Sequence, residues 1–193
     1  MQQNRTAAPE PRRVALPMTP EALGALHAGD TVLLSGVAYT ARDAAHQRMA
    51  RCLETGQPLP FALQGQTIFY LGPAAARPGR VIGAAGPTSS YRMDAYTPAL
   101  LQRGLQGMIG KGPRSQAVAD AMKQYGAVYF AAVGGTAALL CRHIVSCEVV
   151  AYPDLGPEAV RRLVLEDLPA VVALDRYGQD QYRLGPRQNG GMV

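Results

Sequence analysis

Tryptophan is absent from the chain, and nine tyrosines and three phenylalanines bring its aromatic content to only 6%. Aromatic platforms that stack the bases of single-stranded nucleic acid are therefore not expected. Charged residues are also sparse, at 17%, and the net charge of +5 is scattered along the chain without a run of like charges. Such a basic surface suits small anionic metabolites better than nucleic acid, so we expect no nucleic-acid partner.

Cysteine occurs only three times, at Cys52, Cys141 and Cys147. An odd number without regular spacing does not indicate a disulfide framework, and no C-x-x-C pair points to an iron–sulfur site. We therefore expect reduced thiols and no metal ligands in this chain. No stretch of 18 apolar residues is present and the basic N-terminus precedes no apolar signal core, so the sequence predicts a cytoplasmic protein without membrane contact.

What remains is an ordinary globular composition, with 48% hydrophobic residues in 193, enough for one packed core. The proline-rich residues 1–17 are predicted to be a flexible N-terminal tail, residues 18–178 the folded domain and residues 179–193 a polar C-terminal tail. Within the domain, short apolar runs alternate with helical patterns over short links. This alternation predicts an α/β domain with a mixed or largely parallel sheet.

Several local signals predict individual elements. Thr40 and Asp43 have the spacing of a capping box, which predicts a helix over residues 41–53. Ser115 is a candidate N-cap for a helix that ends at Gly126. Near the C-terminus we expect a helix over residues 157–163 and a strand over residues 170–175, and residues 81–84 are a further strand candidate.

Cationic and hydroxyl-bearing residues recur where loops and helix starts are expected. Arg42 and His46 lie four apart on one predicted helix and so share a face, Thr88 and Arg92 follow a Gly-Pro turn with the same spacing, and Lys111 lies between two glycines after a short apolar run. Arginine and lysine at such positions suit a small dicarboxylate. Each residue also has a plainer interpretation, namely a solvated arginine, a half-buried histidine, a turn hydroxyl or a hairpin-like loop.

A further candidate is the Gly134-Gly135-Thr136 turn before a predicted helix. Its amides could hold a phosphate or carboxylate, but the turn has neither the Walker lysine nor the third Rossmann glycine. Tight packing of strand against helix is the favoured interpretation of this turn.

Four segments together resemble a known family. They are TARDAAH at 40–46, GPTSSYRMDAYTPALL at 86–101, GMIGKG at 107–112 and AVYFAAVGGTAALL at 127–140. They are similar to the β subunit, or C-terminal domain, of iron–sulfur class I fumarases, a group that includes the tartrate dehydratase β subunits. The resemblance covers roughly residues 15–178 and implies a swivelling β/β/α domain.

The resemblance also implies a function. In that family a [4Fe–4S] cluster is held by the other subunit or domain, here a partner α subunit, and the β part binds the dicarboxylate substrate. Carried over by motif, Arg42, Arg92 and Lys111 would bind the carboxylates, with Lys111 also stabilising developing negative charge. Thr88 would lie at the carbon that exchanges a proton, and His46 belongs to the same catalytic set. An αβ or (αβ)2 assembly that hydrates fumarate to malate is the expected form.

The sequence departs from the family pattern at Ser89 and at the bulky Tyr91, which bear on the substrate. The intact RMDAY and TPALL segments favour fumarate, and tartrate dehydratase or a mesaconate-type hydratase is the alternative. A second class of function remains open: a non-catalytic module that binds a dicarboxylate in the same cationic pocket.

Overall fold

The computed structural model of this chain describes residues 10–132 and 137–188. Within these residues seven strands form one sheet. The strands are β1 (Arg12–Leu16), β2 (Thr31–Thr40), β3 (Thr67–Phe69), β4 (Gly107–Gly110), β5 (Val128–Ala132), β6 (Ile144–Ala151) and β7 (Val160–Leu174). The helices are α1 (Pro20–Gly24), α2 (Asp43–Glu54), α3 (Thr97–Gln102), α4 (Gln116–Tyr125), α5 (Ala137–Leu140) and α6 (Gln181–Gln188), with short 3-10 helices at Ser90–Met93, Cys141–His143 and Pro153–Glu158.

The sheet closes on itself through its longest strand. Strands β1 to β5 pair in order and in parallel, whereas β7 runs antiparallel and pairs with β5, β6 and β2. Because β7 joins both ends of the β2–β3–β4–β5 row, these five strands form a closed, barrel-like ring. The predicted α/β domain with a mixed sheet is confirmed.

Successive side chains of the central strands enter two separate hydrophobic clusters. Phe69, Ile109 and Phe130 belong to one cluster, and their neighbours Ile68 and Met108 belong to the other. This alternation follows from the period of two residues in a β-strand. The second cluster also includes residues of α2, α3 and α4, so these helices cover one face of the sheet. The short apolar runs of the sequence are therefore strands that are buried on both faces.

Two of the predicted helix ends are confirmed in detail. Ser115 accepts a hydrogen bond from the amide of Val118 as N-cap of α4, and Gly126 ends the helix with φ of 71° in the left-handed region. The predicted capping box of α2 is wrong, because the hydroxyl of Thr40 donates instead to the carbonyl of Ala159, next to β7. The N-cap residue of α2 is Arg42, without a side-chain cap.

The chain termini differ from the sequence prediction. The predicted tail over residues 1–17 contains β1, which pairs with β2 from Arg12 to Leu16. The predicted C-terminal tail contains α6, whose first residue, Gln181, follows the buried Asp180. Neither segment carries a strong hydrophobic pattern of its own, and each becomes ordered by contacts with the domain.

Two predicted elements in the middle of the chain are also wrong. Residues 157–163 do not form the predicted helix: Pro157 and Glu158 end a short 3-10 helix, and Val160 begins the 15-residue strand β7, whose pairing with β2 outweighs a local helical pattern. Residues 81–84 form bends rather than a strand. Among the described residues, no helix has the length and apolar character needed to cross a membrane.

A buried guanidinium fixes the loops above β3 and β4. Arg114 is 5% exposed, and its Nε donates to Oδ1 of Asp94 at 2.7 Å. Its other nitrogens donate to the hydroxyls of Tyr70 at 3.2 Å and Thr97 at 2.9 Å. The Asp94 carboxylate also accepts from the amide of Ser115, at the start of α4. The ion pair therefore joins the 86–97 segment to α4.

Loss of the Asp94 charge should destabilise the fold strongly. In Asp94→Asn the guanidinium of Arg114 stays buried without its counter-charge, which typically costs about 3–5 kcal/mol. We expect a decrease of this order in the free energy of unfolding by urea. Asp154→Asn is the matched control, because the Asp154–Arg48 pair at 2.7 Å is exposed, and it should change stability far less. Equal effects of the two substitutions would contradict the role given to Arg114.

Candidate functional site

The predicted site residues lie where the parallel strands end. Arg42 follows the carboxyl end of β2 by two residues, and Lys111 directly follows β4. Thr88 is attached to the end of β3, because its amide donates to the carbonyl of Tyr70 at 2.7 Å. Since β2, β3 and β4 are parallel neighbours, their carboxyl ends share one edge of the sheet. This edge is the usual place for a ligand site in an α/β domain.

Arg42 and Arg92 meet through one carboxylate. The Nε of Arg92 donates to Oδ1 of Asp43 at 2.8 Å, and Nη2 of Arg42 lies 3.8 Å from Oδ2 of the same residue. Nη2 of Arg42 also lies 3.4 Å from Oε1 of Glu158. The second Glu158 oxygen accepts from the amide of Ala44 at 2.7 Å, so this carboxylate occupies a donor at the start of α2. Two arginines and two carboxylates therefore make a compact charged group.

The same group contains buried polar atoms without a hydrogen-bond partner among the described residues. They are Nε of Arg42, Oδ2 of Asp43 and Nε2 of His46. An unpaired buried donor or acceptor usually costs about 1–3 kcal/mol. Three of them on adjacent turns of one helix indicate a place where a polar ligand completes the hydrogen bonding.

The guanidinium of Arg42 lies against Gly72, just beyond the end of β3, where the absence of a side chain leaves room for it. A Cβ built on Gly72 would lie 2.7 Å from Nη1 of Arg42 and 3.2 Å from the carbonyl oxygen of Pro157. A larger residue at this position would displace the guanidinium. Beside it, a cleft of about 390 Å³ opens between the 73–83 loop, β6 and the turn before β7.

His46 is fully buried, contrary to the plainer expectation of a half-buried ring. Its pKa is lowered to about 4, chiefly by desolvation; the hydrogen bond to the Arg42 carbonyl opposes this shift, and the positive charge of Arg114 adds to it. The imidazole is therefore neutral at pH 7. Its Nδ1 lies 2.9 Å from that carbonyl oxygen, which can only accept, so Nδ1 carries the proton and Nε2 is an acceptor.

The Thr88 segment is packed tightly against the end of β4. Ser90 donates its amide to the carbonyl of Lys111 at 2.9 Å, and its Oγ accepts from the Lys111 amide at 3.0 Å. A Cβ on Gly110 would lie 2.0 Å from this Oγ, so glycine is required here by the close approach of the two segments. The backbones of the residues around Thr88 and Lys111 are thus fixed to each other.

The structure brings the five predicted residues to one edge in two groups. Arg42, His46 and Arg92 are joined through α2 and Asp43, and Thr88 and Lys111 are joined through the Ser90 backbone. Within the described part of the chain, no hydrogen bond or ion pair links the side chain of Thr88 or Lys111 to Arg42 or Arg92. The exposed Lys111 side chain extends from the rim of the site.

Sequence reasoning missed the residues that organise the site. Asp43 was considered only as a helix cap, and Glu158 only as part of a predicted helix. Arg114 carried no signal at all, since an isolated arginine after a proline reads as a surface residue. The bulky Tyr91 is 67% exposed and packs into neither hydrophobic cluster. The Gly134-Gly135-Thr136 candidate lies outside the described residues.

The three cysteines are distributed over separate elements and are not disulfide-bonded. Cys52 is on α2, Cys141 follows α5 and Cys147 is on β6, and each is half-buried. Burial raises the pKa of the Cys147 thiol. Over residues 10–132 and 137–188, no group of three or more histidine, cysteine, aspartate or glutamate side chains is arranged to hold a metal ion.

Comparison with known proteins identifies relatives of this chain. Residues 1–185 match the family described as Fumarase C-terminus. Fumarate hydratase 2 of Leishmania major is 38% identical over 156 residues, which are 80% of this chain and 28% of that protein. The aerobic class I fumarate hydratase of Escherichia coli K12 is 40% identical over 152 residues, or 78% of this chain and 28% of the relative. The chain thus spans less than a third of these curated relatives.

A shorter relative matches along most of its length. A protein of Methanocaldococcus jannaschii described as the subunit beta of L(+)-tartrate dehydratase is 36% identical over 163 residues. The match covers 81% of this chain and 84% of that protein.

The buried neutral His46 predicts an acid-dependent loss of stability. The unfolded residue takes up a proton as the pH falls through about 6.5, whereas the native residue does so only near 4. Between these values the unfolded state binds more protons, so stability falls as the pH falls, by about 2 kcal/mol at pH 5. In His46→Gln the decrease in unfolding free energy between pH 7 and pH 5, measured with urea, should be smaller by that amount. His27→Gln, at an exposed ring, is the control and should behave like the unchanged protein. If His46→Gln, His27→Gln and the unchanged protein lose the same unfolding free energy between pH 7 and pH 5, the pKa of His46 is not depressed.

Proposed function

This chain belongs to the Fumarase C-terminus family, and from that membership we propose that it is the β subunit of a [4Fe–4S] hydro-lyase that reversibly hydrates fumarate to malate. The observation that carries the proposal is the set of unpaired buried polar atoms on Arg42, Asp43 and His46, beside a second arginine at the same sheet edge. Of these atoms, Nε of Arg42 is a donor, for which a dicarboxylate supplies an acceptor. Oδ2 of Asp43 and Nε2 of His46 are acceptors, for which the hydroxyl of malate supplies a donor. The dicarboxylate also supplies negative charge for the arginines.

Arg42, Arg92 and Lys111 are the substrate-binding residues in this proposal. In the structure the charges of Arg42 and Arg92 are partly balanced by Asp43 and Glu158. A substrate carboxylate placed on the unpaired Nε of Arg42 adds a hydrogen bond without disturbing the Asp43 contacts. Lys111 reaches the other carboxylate from the rim as a point charge.

The proton-transfer step is assigned to Thr88. Removal of the proton from the carbon next to a carboxylate moves negative charge onto that carboxylate, which becomes an aci-carboxylate. Lys111 and the arginines stabilise this charge by fixed electrostatic interactions. Neutral His46 offers Nε2 as an acceptor to the hydroxyl of malate, which orients that substrate. A threonine hydroxyl is a weak base, so we assign its activation to a carboxylate of the partner subunit.

The cluster itself is assigned to the partner α subunit. The donor set of this site is guanidinium, ammonium, hydroxyl and imidazole, without a thiol, and the three cysteines lie on separate elements, so this chain's described residues do not fit the cluster as ligands. When bound, an iron with an open position supplies a Lewis acid for the substrate hydroxyl. The relative described as the subunit beta of L(+)-tartrate dehydratase supports a partner subunit, in an αβ or (αβ)2 assembly.

A tartrate dehydratase β subunit is the second candidate, with a mesaconate-type hydratase in the same class. It is favoured by the relative whose length this chain covers to 84%. Tartrate carries one more hydroxyl than malate, so the two assignments differ in whether the pocket pairs that group. A module that binds a dicarboxylate without catalysis is the third candidate, since the charged group around Arg42 and Arg92 would bind an anion in the absence of a partner subunit.

Activity should require the second subunit. We expect the purified chain to be colourless and inactive, and anaerobic mixing or co-expression with a cluster-bearing α subunit to restore hydration of fumarate, followed by absorbance. A panel with tartrate and mesaconate in the same assay distinguishes the hydro-lyases. Hydration of fumarate by this chain alone, free of iron, would refute the assignment, and dicarboxylate binding without activity in the complex would favour the binding module.

Removal of a positive charge should then lower turnover strongly. Lys111→Met and Arg92→Met each remove stabilisation of the aci-carboxylate, and we expect kcat/KM of the complex to fall by about 10²–10³, equivalent to roughly 3–4 kcal/mol. Lys123→Met is the matched control, because Lys123 is the only other lysine and is exposed on α4. The site assignment fails if Lys111→Met and Arg92→Met both retain the rate of the control.

A further inference from the structure

Every polar backbone group of Lys111 and Gly112 is hydrogen-bonded. The amide of Lys111 donates to Oγ of Ser90 at 3.0 Å, and its carbonyl accepts from the Ser90 amide at 2.9 Å. The carbonyl of Gly112 accepts from the hydroxyl of Tyr129 at 2.9 Å, and its amide donates to the hydroxyl of Tyr182 at 3.1 Å. Three of the four partners are side-chain hydroxyls from three different elements.

The direction of these bonds is determined by the number of protons. The hydroxyl of Tyr129 donates its one proton to the Gly112 carbonyl. In the 2.9 Å contact between the hydroxyls of Ser90 and Tyr129, Ser90 is therefore the donor. Ser90 Oγ in turn accepts from the Lys111 amide. Burial raises the pKa of both Tyr129 and Tyr182, so both hydroxyls keep their protons at neutral pH. These hydrogen bonds therefore run in one consistent direction, from the Lys111 amide through Ser90 and Tyr129 to the Gly112 carbonyl.

This turn needs external support because of its glycines. Gly110 and Gly112 flank the lysine, and Gly112 has φ of 79°, which glycine adopts with little cost. A glycine-flanked turn has many alternative conformations, and ordering it lowers the backbone entropy. Side-chain hydrogen bonds to each peptide group restrict those alternatives.

Tyr182 is the partner contributed by the C-terminal helix α6, and it is itself held in place. Its amide donates to Oδ1 of Asp180 at 2.9 Å, and Asp180 is buried and forms a bridge with Leu174 at the end of β7. Tyr182 is 39% exposed, so it contributes little to the hydrophobic core, and its hydroxyl hydrogen-bonds to the turn. Tyr182 therefore links the end of β7 to the turn that carries Lys111.

We propose that Tyr182 is a positioning residue for Lys111 and that α6 is thereby a part of the substrate site. The inference rests on the proposed function in one respect, namely that Lys111 binds a substrate carboxylate. By fixing the Gly112 peptide, the Tyr182 hydroxyl keeps the lysine stem directed at the substrate before binding, so that binding requires less ordering.

The first test uses the full chain without substrate or partner. Tyr182→Phe removes only the hydroxyl oxygen, and we expect hydrogen exchange of the Gly112 amide, followed by NMR, to become at least about fivefold faster, as for loss of one ordinary hydrogen bond. Tyr177→Phe is the matched control, because the Tyr177 hydroxyl donates to the Gly24 carbonyl instead. The global midpoint of urea unfolding should stay unchanged in Tyr182→Phe, which separates positioning from folding.

The second test uses the assembled enzyme with fumarate. Tyr182→Phe should raise KM about fivefold with a smaller change in kcat, and Tyr177→Phe should change neither. The proposal is overturned if Gly112 exchange is unchanged, or if exchange is faster while KM and kcat both stay at the level of the control. If Lys111→Met itself has no effect on activity, the substrate-binding role of Lys111 and this inference fall together. If Lys111→Met is impaired and Tyr182→Phe is not, the inference alone fails.

Discussion

The pairing of β7 with both β2 and β5 is the constraint from which the rest of the structure follows. Four parallel strands in a row would otherwise leave two open edges, and an open edge allows register shifts. Closure by one long antiparallel strand removes this freedom for the ring. The carboxyl ends of β2, β3 and β4 then lie at fixed positions relative to one another. Loops of very different sequence can therefore contribute to one charged site.

Charge balance is the second theme of the molecule. Arginine side chains lie next to carboxylates at two depths: the buried Arg114 pairs with the largely buried Asp94, and the more exposed Arg42 and Arg92 lie next to Asp43 and Glu158. The deep pair has complete hydrogen bonding and joins the loops to each other. The shallow group has unpaired atoms. In proteins generally, complete polar networks stabilise a structure, and incomplete ones at a surface cleft suit binding.

The sequence was sufficient for the class of the fold, for two helix ends on α4 and for the position of Lys111 at the end of a strand. It was sufficient because these features depend on local chemistry: a serine cap, a glycine with positive φ, a glycine-flanked lysine after an apolar run. It failed at β1, β7 and α6, whose structure comes from pairing partners distant in the chain. Residues 157–163 show this well, since their helical pattern is local and their pairing with β2 is not. The roles of Asp43, Glu158 and Arg114 were equally out of reach, because a charged residue shows its partner only after folding.

The turn at 153–158 connects the charges of the site with the closure of the sheet. Its last residue, Glu158, caps the start of α2 and faces Arg42, and two residues later β7 begins to close the ring. An insertion or deletion in this turn would therefore shift the counter-charge of Arg42 while the register of β7 on β2 remained fixed by its long ladder. A change in the length of this segment would thus alter the charge around Arg42 without rebuilding the scaffold.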